Sequence, residues 1–359
     1  MIKLIDKYIL KRFLSRMIFL IVGLSAIIIT TNLVEMIDNF IDAKMNSSEI
    51  FNYYFLSLPM IISYAIPMSV TISTVLSIVA YIKNNELLAI RAFGVNYFRM
   101  TQSILVATLL ISIFHFFFEN QVVSNSNRLK NKIVRTYNLD KKNHKQNKAN
   151  FLEDISNNRS IFILNYNNKT QTANKIIIKE IDENNFVKNR MDSNQMIWNG
   201  ASWDFEKILI RDWSNEKYSF RMLKDTTLNL DNINPIYLTS EFIEPDQMNY
   251  FELNEFIKIK QKNSGNTTKW KVGLNHKIAY CFSSFFMCML SIIFSLMLKN
   301  SNVSYGIGLS LLIITIYYVI LIVGKNFGIE GIISPILSAW LPNLGMLILA
   351  FFGYKKFIF

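Results

Sequence analysis

Apolar positions fall into two blocks, one from Phe13 to Phe118 and one from Ile278 to Phe359, with a long polar stretch between them. A membrane span needs about 20 apolar residues at about 1.5 Å rise each. On that measure six spans are predicted: Phe13–Leu33, Leu56–Ile82, Ile104–Phe118, Ile278–Leu298, Val303–Val323 and Ile336–Tyr354. The third is short as drawn and extends back to Tyr97 or Met100.

The polar stretch has a different period. Ser160–Tyr166, Lys175–Ile181 and Lys207–Trp213 are β-branched or aromatic runs. They are bounded by turn clusters at Asn167-Asn168, Glu183-Asn184-Asn185 and Asn199-Gly200. Strands at this spacing predict an antiparallel sandwich or jelly roll. Trp198 and Trp203 flank the Asn199-Gly200 turn and are expected to fill its core. Asn120–Lys148 is expected to continue span three as a helix and then become a connector. In Glu241–Gly265, Met248, Phe251, Phe256 and Ile259 recur at roughly helical spacing. That helix either lies at the membrane surface or packs on the sandwich.

Basic residues orient the spans. Lys3, Lys7, Lys11, Arg12 and Arg16 precede span one, and Lys83, Arg91 and Arg99 follow span two. Lys299 follows span four, and Lys355 and Lys356 follow span six. The loop after span one carries Glu35, Asp38, Asp42 and Glu49 against Lys44. Both termini are therefore expected in the cytoplasm and the polar domain on the far side. The net charge of +12 does not point to nucleic acid, because many of the cations sit where orientation already requires them. The first apolar run is longer than a signal-peptide core and more spans follow it, so it is expected to be retained.

Cys281 and Cys288 are seven residues apart in span four and share a helix face, which suits packing and not a local disulfide. Phosphate-loop, His-Glu-x-x-His and Gly-x-Ser-x-Gly motifs are absent. His115, His144 and His276 are scattered, with no metal-ligand spacing, and His115 is expected to pack within its span. No cofactor or metal is predicted.

Between spans two and three, Asn84 or Asn85 can cap a short helix, Glu86 suits its positive end, and Gly94 can end it in the left-handed conformation. Its apolar residues Leu87, Leu88, Ile90 and Phe93 exceed what a solvated loop needs. Two readings stand: a knob docking in a groove of a cytoplasmic partner, with Glu86 or Arg91 forming an ion pair there, or a helix packed under its own bundle.

This loop, Glu86-Leu87-Leu88-Ala89-Ile90-Arg91-Ala92-Phe93-Gly94, resembles the signature of the lipopolysaccharide-export permease family, LptF/LptG. Other pieces agree in order along the whole chain. They are Asp6-Lys7-Tyr8-Ile9 at the start, Pro59 and Pro67 in span two, Glu119 at the outer end of span three, Trp203 in the outer domain, and Pro335 with Leu341-Pro342 at the last span. The opening and the ending are closer to the LptG branch.

The resemblance implies a six-helix, three-plus-three membrane protein with an inserted antiparallel β-sandwich or jelly-roll domain in the periplasm. Its parts are residues 1–118 with a coupling helix at 84–96, the outer domain at 119–270, and the last three spans at 271–359. It implies a non-catalytic permease subunit of the inner membrane that extracts lipopolysaccharide or a related glycolipid from the outer leaflet. The partners implied are a paralogous permease subunit, a separate cytoplasmic ATPase dimer and a periplasmic β-jelly-roll bridge protein. Glu86, Leu87, Ala89, Arg91 and Gly94 would couple to the ATPase. Spans one and five would line the lipid cavity, with Asn32, Glu35, Asp38, Tyr317 and Ile320 as candidates. Exposing acyl methylenes to water costs about 0.8 kcal/mol each, so a covered path is needed.

One feature departs from the family. Its members often place basic residues at the outer end of span one, where this chain has Glu35, Asp38 and Asp42. Such a rim repels bare phosphates unless divalent cations bridge them or the lipid carries fewer phosphates. Two other classes remain: a membrane-anchored enzyme acting on envelope lipids, with Glu119, Asp154 or Asp212 as acid–base candidates, and a sensor with a ligand-binding outer domain.

Overall fold

The computed structural model describes residues 4–94, 96–137, 139, 151–156, 159–167, 170–182, 186–213, 219–228, 230, 244–262, 266–298 and 302–358. Lys299, the turns at Asn168 and at 183–185, and the basic stretch 140–148 lie outside them. The chain divides into two compact units, one of Met1–Ile133, Asp246–Tyr250 and Thr268–Phe359, the other of Val134–Pro245 and Phe251–Thr267.

The first unit holds the helices that are long and apolar enough to cross a membrane, six among the described residues. They are α1 (Leu4–Asp42), α2 (Ser47–Lys83), α4 (Tyr97–Phe118) with its continuation, α7 (Thr268–Leu296), α8 (Val303–Ile329) and α9 (Pro335–Ile358). Short α3 (Glu86–Ala92) joins α2 to α4. A π-helical turn, Glu119–Val123, carries α4 without a break into α5 (Ser124–Thr136). The expected six-span, three-plus-three order is present.

Two helices form the centre. α2 packs on α1, α4, α7 and α8, and α7 packs on α2, α4, α8 and α9. The most apolar stretch is 72% buried in α2 and 61% in α7, against 11% in α1. The sequence explains this division. The buried face of α2 includes Ser63, Ser69, Ser73, Thr74 and Ser77, and that of α7 includes Ser283, Ser284, Ser291 and Ser295. Small hydroxylic side chains let helix backbones approach closely in lipid, and several of them bond back to a carbonyl of their own helix. Ser69 Oγ donates to the Ala65 carbonyl at 2.7 Å and Ser291 Oγ to that of Met287 at 2.7 Å. α1 carries large apolar residues outward instead, among them Phe19, Val22 and Ile27.

Helices overrun their apolar windows. α2 starts at Ser47, not Leu56, because the Asn46 N–H donates to Glu49 Oε2 at 2.9 Å, one half of a capping box. Pro67 stays inside α2 although it removes a backbone donor and frees the Ser63 carbonyl. The Tyr280 hydroxyl, on α7, reaches that carbonyl at 3.5 Å. Cys281 and Cys288 are buried and free, as packing residues.

In the second unit, β1 (Phe151–Ser156), β2 (Arg159–Asn167), β3 (Thr172–Ile181), β4 (Val187–Trp198), β5 (Trp203–Asp212) and β6 (Ser219–Leu228) form one antiparallel sheet in sequence order. The expected antiparallel β domain is there. Among the described residues it is a single meander, without the crossovers of a jelly roll. Its buried face is contiguous: Ile163 pairs with Ile176, Ile161 with Ile178, Ala173 with Met196, and Met196 with Phe205. Trp198 pairs with Trp203 across a turn where Gly200 takes φ +105°, and Trp203 is fully buried while Trp198 is half-buried. α6 (Tyr250–Lys262) buries Leu253, Phe256 and Ile257, while Phe251 and Ile259 are exposed. At those two positions the buried residues, Leu253 and Ile257, lie two places from the ones read from the sequence.

Candidate functional site

α3 is built from local signals. Asn85 takes a left-handed φ of 57° at its start, and Gly94 takes φ +77° just past its end, where a side chain would be strained. The seven-residue helix between them has two faces. Leu87 is buried in a cluster with Ile9, Phe13, Tyr81, Met100 and Ile104, and Ile90 packs against it. Leu88 and Phe93 point away and are 60% and 87% exposed, and Ala89 and Arg91 are exposed beside them. The reading of a helix packed under its own bundle therefore holds for the Leu87 face, and the opposite face is exposed.

Glu86 is not free. Arg12 Nη1 donates to it at 2.9 Å, the Tyr8 hydroxyl at 3.1 Å and Asn84 Nδ2 at 3.1 Å. The Arg12 guanidinium also lies 4.6 Å from the Tyr8 ring centre. Partial burial works to raise the Glu86 carboxyl, but the hydrogen bonds from Asn84, Arg12 and Tyr8 outweigh it and hold the group below the ordinary range. A second clamp lies alongside, where Arg99 grips the buried Asp6 with two bonds of 2.9 Å. Arg16 Nη1 donates to Ser77 Oγ at 2.9 Å. The charged start of α1 is thus bolted to α2, α3 and α4. The sequence pattern gives Arg12 and Arg16 a role in membrane orientation alone. Their partners lie 74 and 61 residues away, beyond any local pattern.

The cavity candidates occupy two places. Asn32, Glu35 and Asp38 recur every third residue on α1. Asn32 Oδ1 accepts from the Tyr54 hydroxyl at 3.4 Å, and Glu35 and Asp38 are exposed. On α8, Tyr317 is buried and donates to Asn343 Oδ1 at 3.2 Å, while Ile320 is half-buried. Tyr317 thus faces its own bundle, and the open face of α8 is formed by Leu312, Ile316, Val319 and Val323. α1 packs on α2 and α4, and α8 on α2, α7 and α9. The two candidate sets are not brought together within this chain.

A buried polar cluster lies at the π turn. In a π turn residues five apart share a face, and Glu119 and Ser124 both turn toward Lys277. Lys277 Nζ donates to Ser124 Oγ at 3.2 Å and lies 4.0 Å from Glu119 Oε1. Ser63 Oγ donates to Glu119 Oε2 at 2.7 Å and sits 2.8 Å from His115 Nε2. Ser63 has one proton and gives it to the carboxylate, so His115 donates from Nε2. Ser124 Oγ reaches the Met248 carbonyl at 3.1 Å, and Asn120 Oδ1 accepts from the Tyr250 N–H at 2.8 Å. Lys277 stands at the edge of an apolar run, where an ionisable residue is itself a signal of a site. Of the other acid–base candidates, Asp212 ends β5 opposite Ser219, and Asp154 lies in β1 opposite Ser160. Among the described residues no group of His, Cys, Asp and Glu is arranged to hold a metal ion.

A polytopic helical bundle with an inserted antiparallel β domain and a short amphipathic helix between its second and third spans is the architecture of a membrane permease component. The family model for the lipopolysaccharide export system permease LptF/LptG matches residues 7–356, and the chain belongs to that family. No match is found among curated proteins.

Proposed function

We propose that this chain is one of two paralogous permease subunits of an ATP-driven lipopolysaccharide exporter in the inner membrane. The family match over nearly the whole chain carries the reading. The termini and α3 lie in the cytoplasm and the β domain in the periplasm, in keeping with the cations at one end of the spans and the acids after α1. α1 and α8 each expose an apolar face and do not pack on one another. A second, similar subunit would close a cavity by setting its fifth span beside this first span, and the reverse. Lipopolysaccharide or a related glycolipid enters that cavity from the outer leaflet.

Coupling runs through α3. Leu88 and Phe93 dock in a separate ATPase dimer, with Ala89 at the contact and Arg91 beside it, while Leu87 and Gly94 fix the helix's place and end. Glu86 passes the motion to α1 through Arg12 and Tyr8, so the helix that moves with the ATPase is bolted to the helix that lines the cavity. The β domain passes lipid onward to a periplasmic bridge protein by strand addition at a sheet edge. Edge strand β6, with Phe220 and Met222 exposed, suits that contact. The Asp6-Lys7-Tyr8 opening and the Pro335, Leu341-Pro342 ending favour the LptG role. The acidic rim at Glu35 and Asp38 favours a cargo whose phosphates are few or bridged by divalent cations.

Affinity purification in mild detergent with mass spectrometry tests the proposal, wild type beside Leu88→Asp. Co-purification of an ATPase and a second six-span subunit, with loss of the ATPase in the variant, is expected. Recovery of the wild-type chain alone would overturn it.

A further inference from the structure

α4 and α9 both pack on α7, and among the described residues they have little direct contact with each other. The gap they leave is a cavity of about 1240 Å³ at the end of the bundle that carries α3. That exceeds the roughly 300–1,000 Å³ that buries a drug-sized ligand. Its walls are apolar: Leu105 on α4, Ile292 and Leu296 on α7, and Leu347, Ile348 and Phe351 on α9. Its polar residues, Arg91, Asn96, Tyr97 and Thr101, belong to α3, the loop after it and the first turn of α4. A single cleft therefore runs from a cationic mouth at the bundle's end into the depth of the hydrocarbon.

One cation stands at the mouth, Arg91. Arg12 is paired with Glu86 and Arg99 with Asp6. Arg91 has no carboxylate within ion-pair reach among the described residues. Its guanidinium donates to the Tyr97 hydroxyl at 3.2 Å and lies 5.1 Å from the Tyr97 ring centre. That contact aims it across the cleft mouth and leaves donors for an anion. Guanidinium suits a phosphate's oxygens, and a basic pocket between spans suits an anionic lipid headgroup.

We infer that this cleft is a binding site for an anionic phospholipid, with phosphate on Arg91 and an acyl chain laid between α4 and α9. The occupant comes from the leaflet on the α3 side, so it is a resident lipid distinct from the exported cargo. It fills the gap between the first three spans and the last, and its headgroup touches the helix proposed to meet the ATPase. That the leaflet is cytoplasmic, and so that the occupant is not the cargo, rests on the orientation and function proposed above; the site itself does not.

The test uses the full chain, with whatever subunits co-purify, in nanodiscs of phosphatidylcholine. The probe is phosphatidylglycerol carrying a diazirine in its acyl chain, with diazirine phosphatidylcholine as the control, and adducts are mapped by mass spectrometry. Phosphatidylglycerol adducts should concentrate around Leu105 and Phe351, above the level at Phe19 of α1 and Val319 of α8. Leu347→Trp and Ile348→Trp, at exposed positions that fill the cleft, should deplete those adducts and leave Phe19 unchanged. Arg91→Gln should lower the preference for the anionic lipid about tenfold, the worth of a hydrogen bond to an ionised group. Uniform labelling of all apolar faces, equal labelling by both lipids in wild type, or a cleft protected by a crosslinked polypeptide would each overturn the inference. Orientation is read separately, by thiol labelling of a cysteine placed at Ala89. Labelling from the periplasmic side would sink the orientation and leave the lipid site standing.

Discussion

Arg12 of the first span meets Glu86 of the short helix after the second span at 2.9 Å, with Tyr8 and Asn84 on the same carboxylate. Side chains that are 36% and 24% exposed make a pair of modest worth. A double-mutant cycle with Arg12→Gln and Glu86→Gln, read by thermal unfolding in detergent, should give a coupling of about 1 kcal/mol or less. The larger effect falls on coupling: either variant should keep the ATPase bound yet lower transport per ATP hydrolysed. Arg12→Glu with Glu86→Arg should recover part of the loss. A cycle that gives zero coupling with transport unchanged would show the pair to be ornamental.

Acid should release the same pair. The Glu86 carboxyl sits below its ordinary value in the folded chain, so its contribution is present above the unfolded-state value of about 4.3 and fades as pH falls through the lower folded value. The difference in thermal midpoint between wild type and Glu86→Gln should therefore be constant near neutrality and shrink below about pH 4. A difference that grows with acid would contradict the assignment.

The two faces of α3 separate stability from docking. Leu88→Asp and Phe93→Asp alter exposed positions, so the thermal midpoint should hold while recovery of the ATPase in pull-downs collapses. Leu87→Ala removes a buried side chain and should cost about 2 kcal/mol or more. Leu88→Asp with the ATPase still bound would move the contact elsewhere.

Lys277 and Glu119 stand on different terms from the Arg12 pair, because both are nearly withdrawn from solvent. Lys277→Met leaves a buried carboxylate without its cation and should cost about 3–5 kcal/mol. Glu119→Gln with Lys277→Met should be milder than Lys277→Met alone, since neither charge is then buried. Thermal unfolding of the three variants in one detergent decides it. Additive losses would mean that the two side chains do not sense each other.

How much of this was legible in the sequence depends on the range of the cause. The spans were legible because bilayer thickness sets the length of an apolar run. Their true starts were not, because polar turns beyond the lipid are held by particular bonds such as Asn46 to Glu49 and Asp6 to Arg99. β2, β3 and β5 were legible from alternating Ile, Phe and Leu. β4 was not, because Lys188, Asn189, Arg190 and Asp192 mask its alternation, and β1 and β6 lie at the sheet's edges. The single-sheet meander is a matter of which strands pair, and no strand's own pattern states that. Residues in α3 were found by their spacing. The partners of Glu86 and of Glu119 lie on other helices and needed the fold.

The last two spans meet through glycine. A Cβ on Gly328 would lie 2.5 Å from the Ser338 Cβ and 3.0 Å from a Val272 methyl. A Cβ on Gly324 would lie 2.9 Å from the Ser338 carbonyl oxygen. That carbonyl lacks its helical donor for a reason: Pro342, four residues on, has no N–H to give it. Gly324 and Gly328 form a small-xxx-small face on α8 that receives the backbone of α9 at this point. Neither neighbour is the loose end of a flexible side chain, so an added methyl must push the helices apart. Gly324→Ala and Gly328→Ala should each cost about 1–3 kcal/mol as overpacking. Gly308→Ala, on the same helix with nothing within 4 Å, should cost nothing and serves as the control. Thermal unfolding of the three single variants reads the difference. Equal midpoints for all three would mean that α8 and α9 are not in close contact at Ser338.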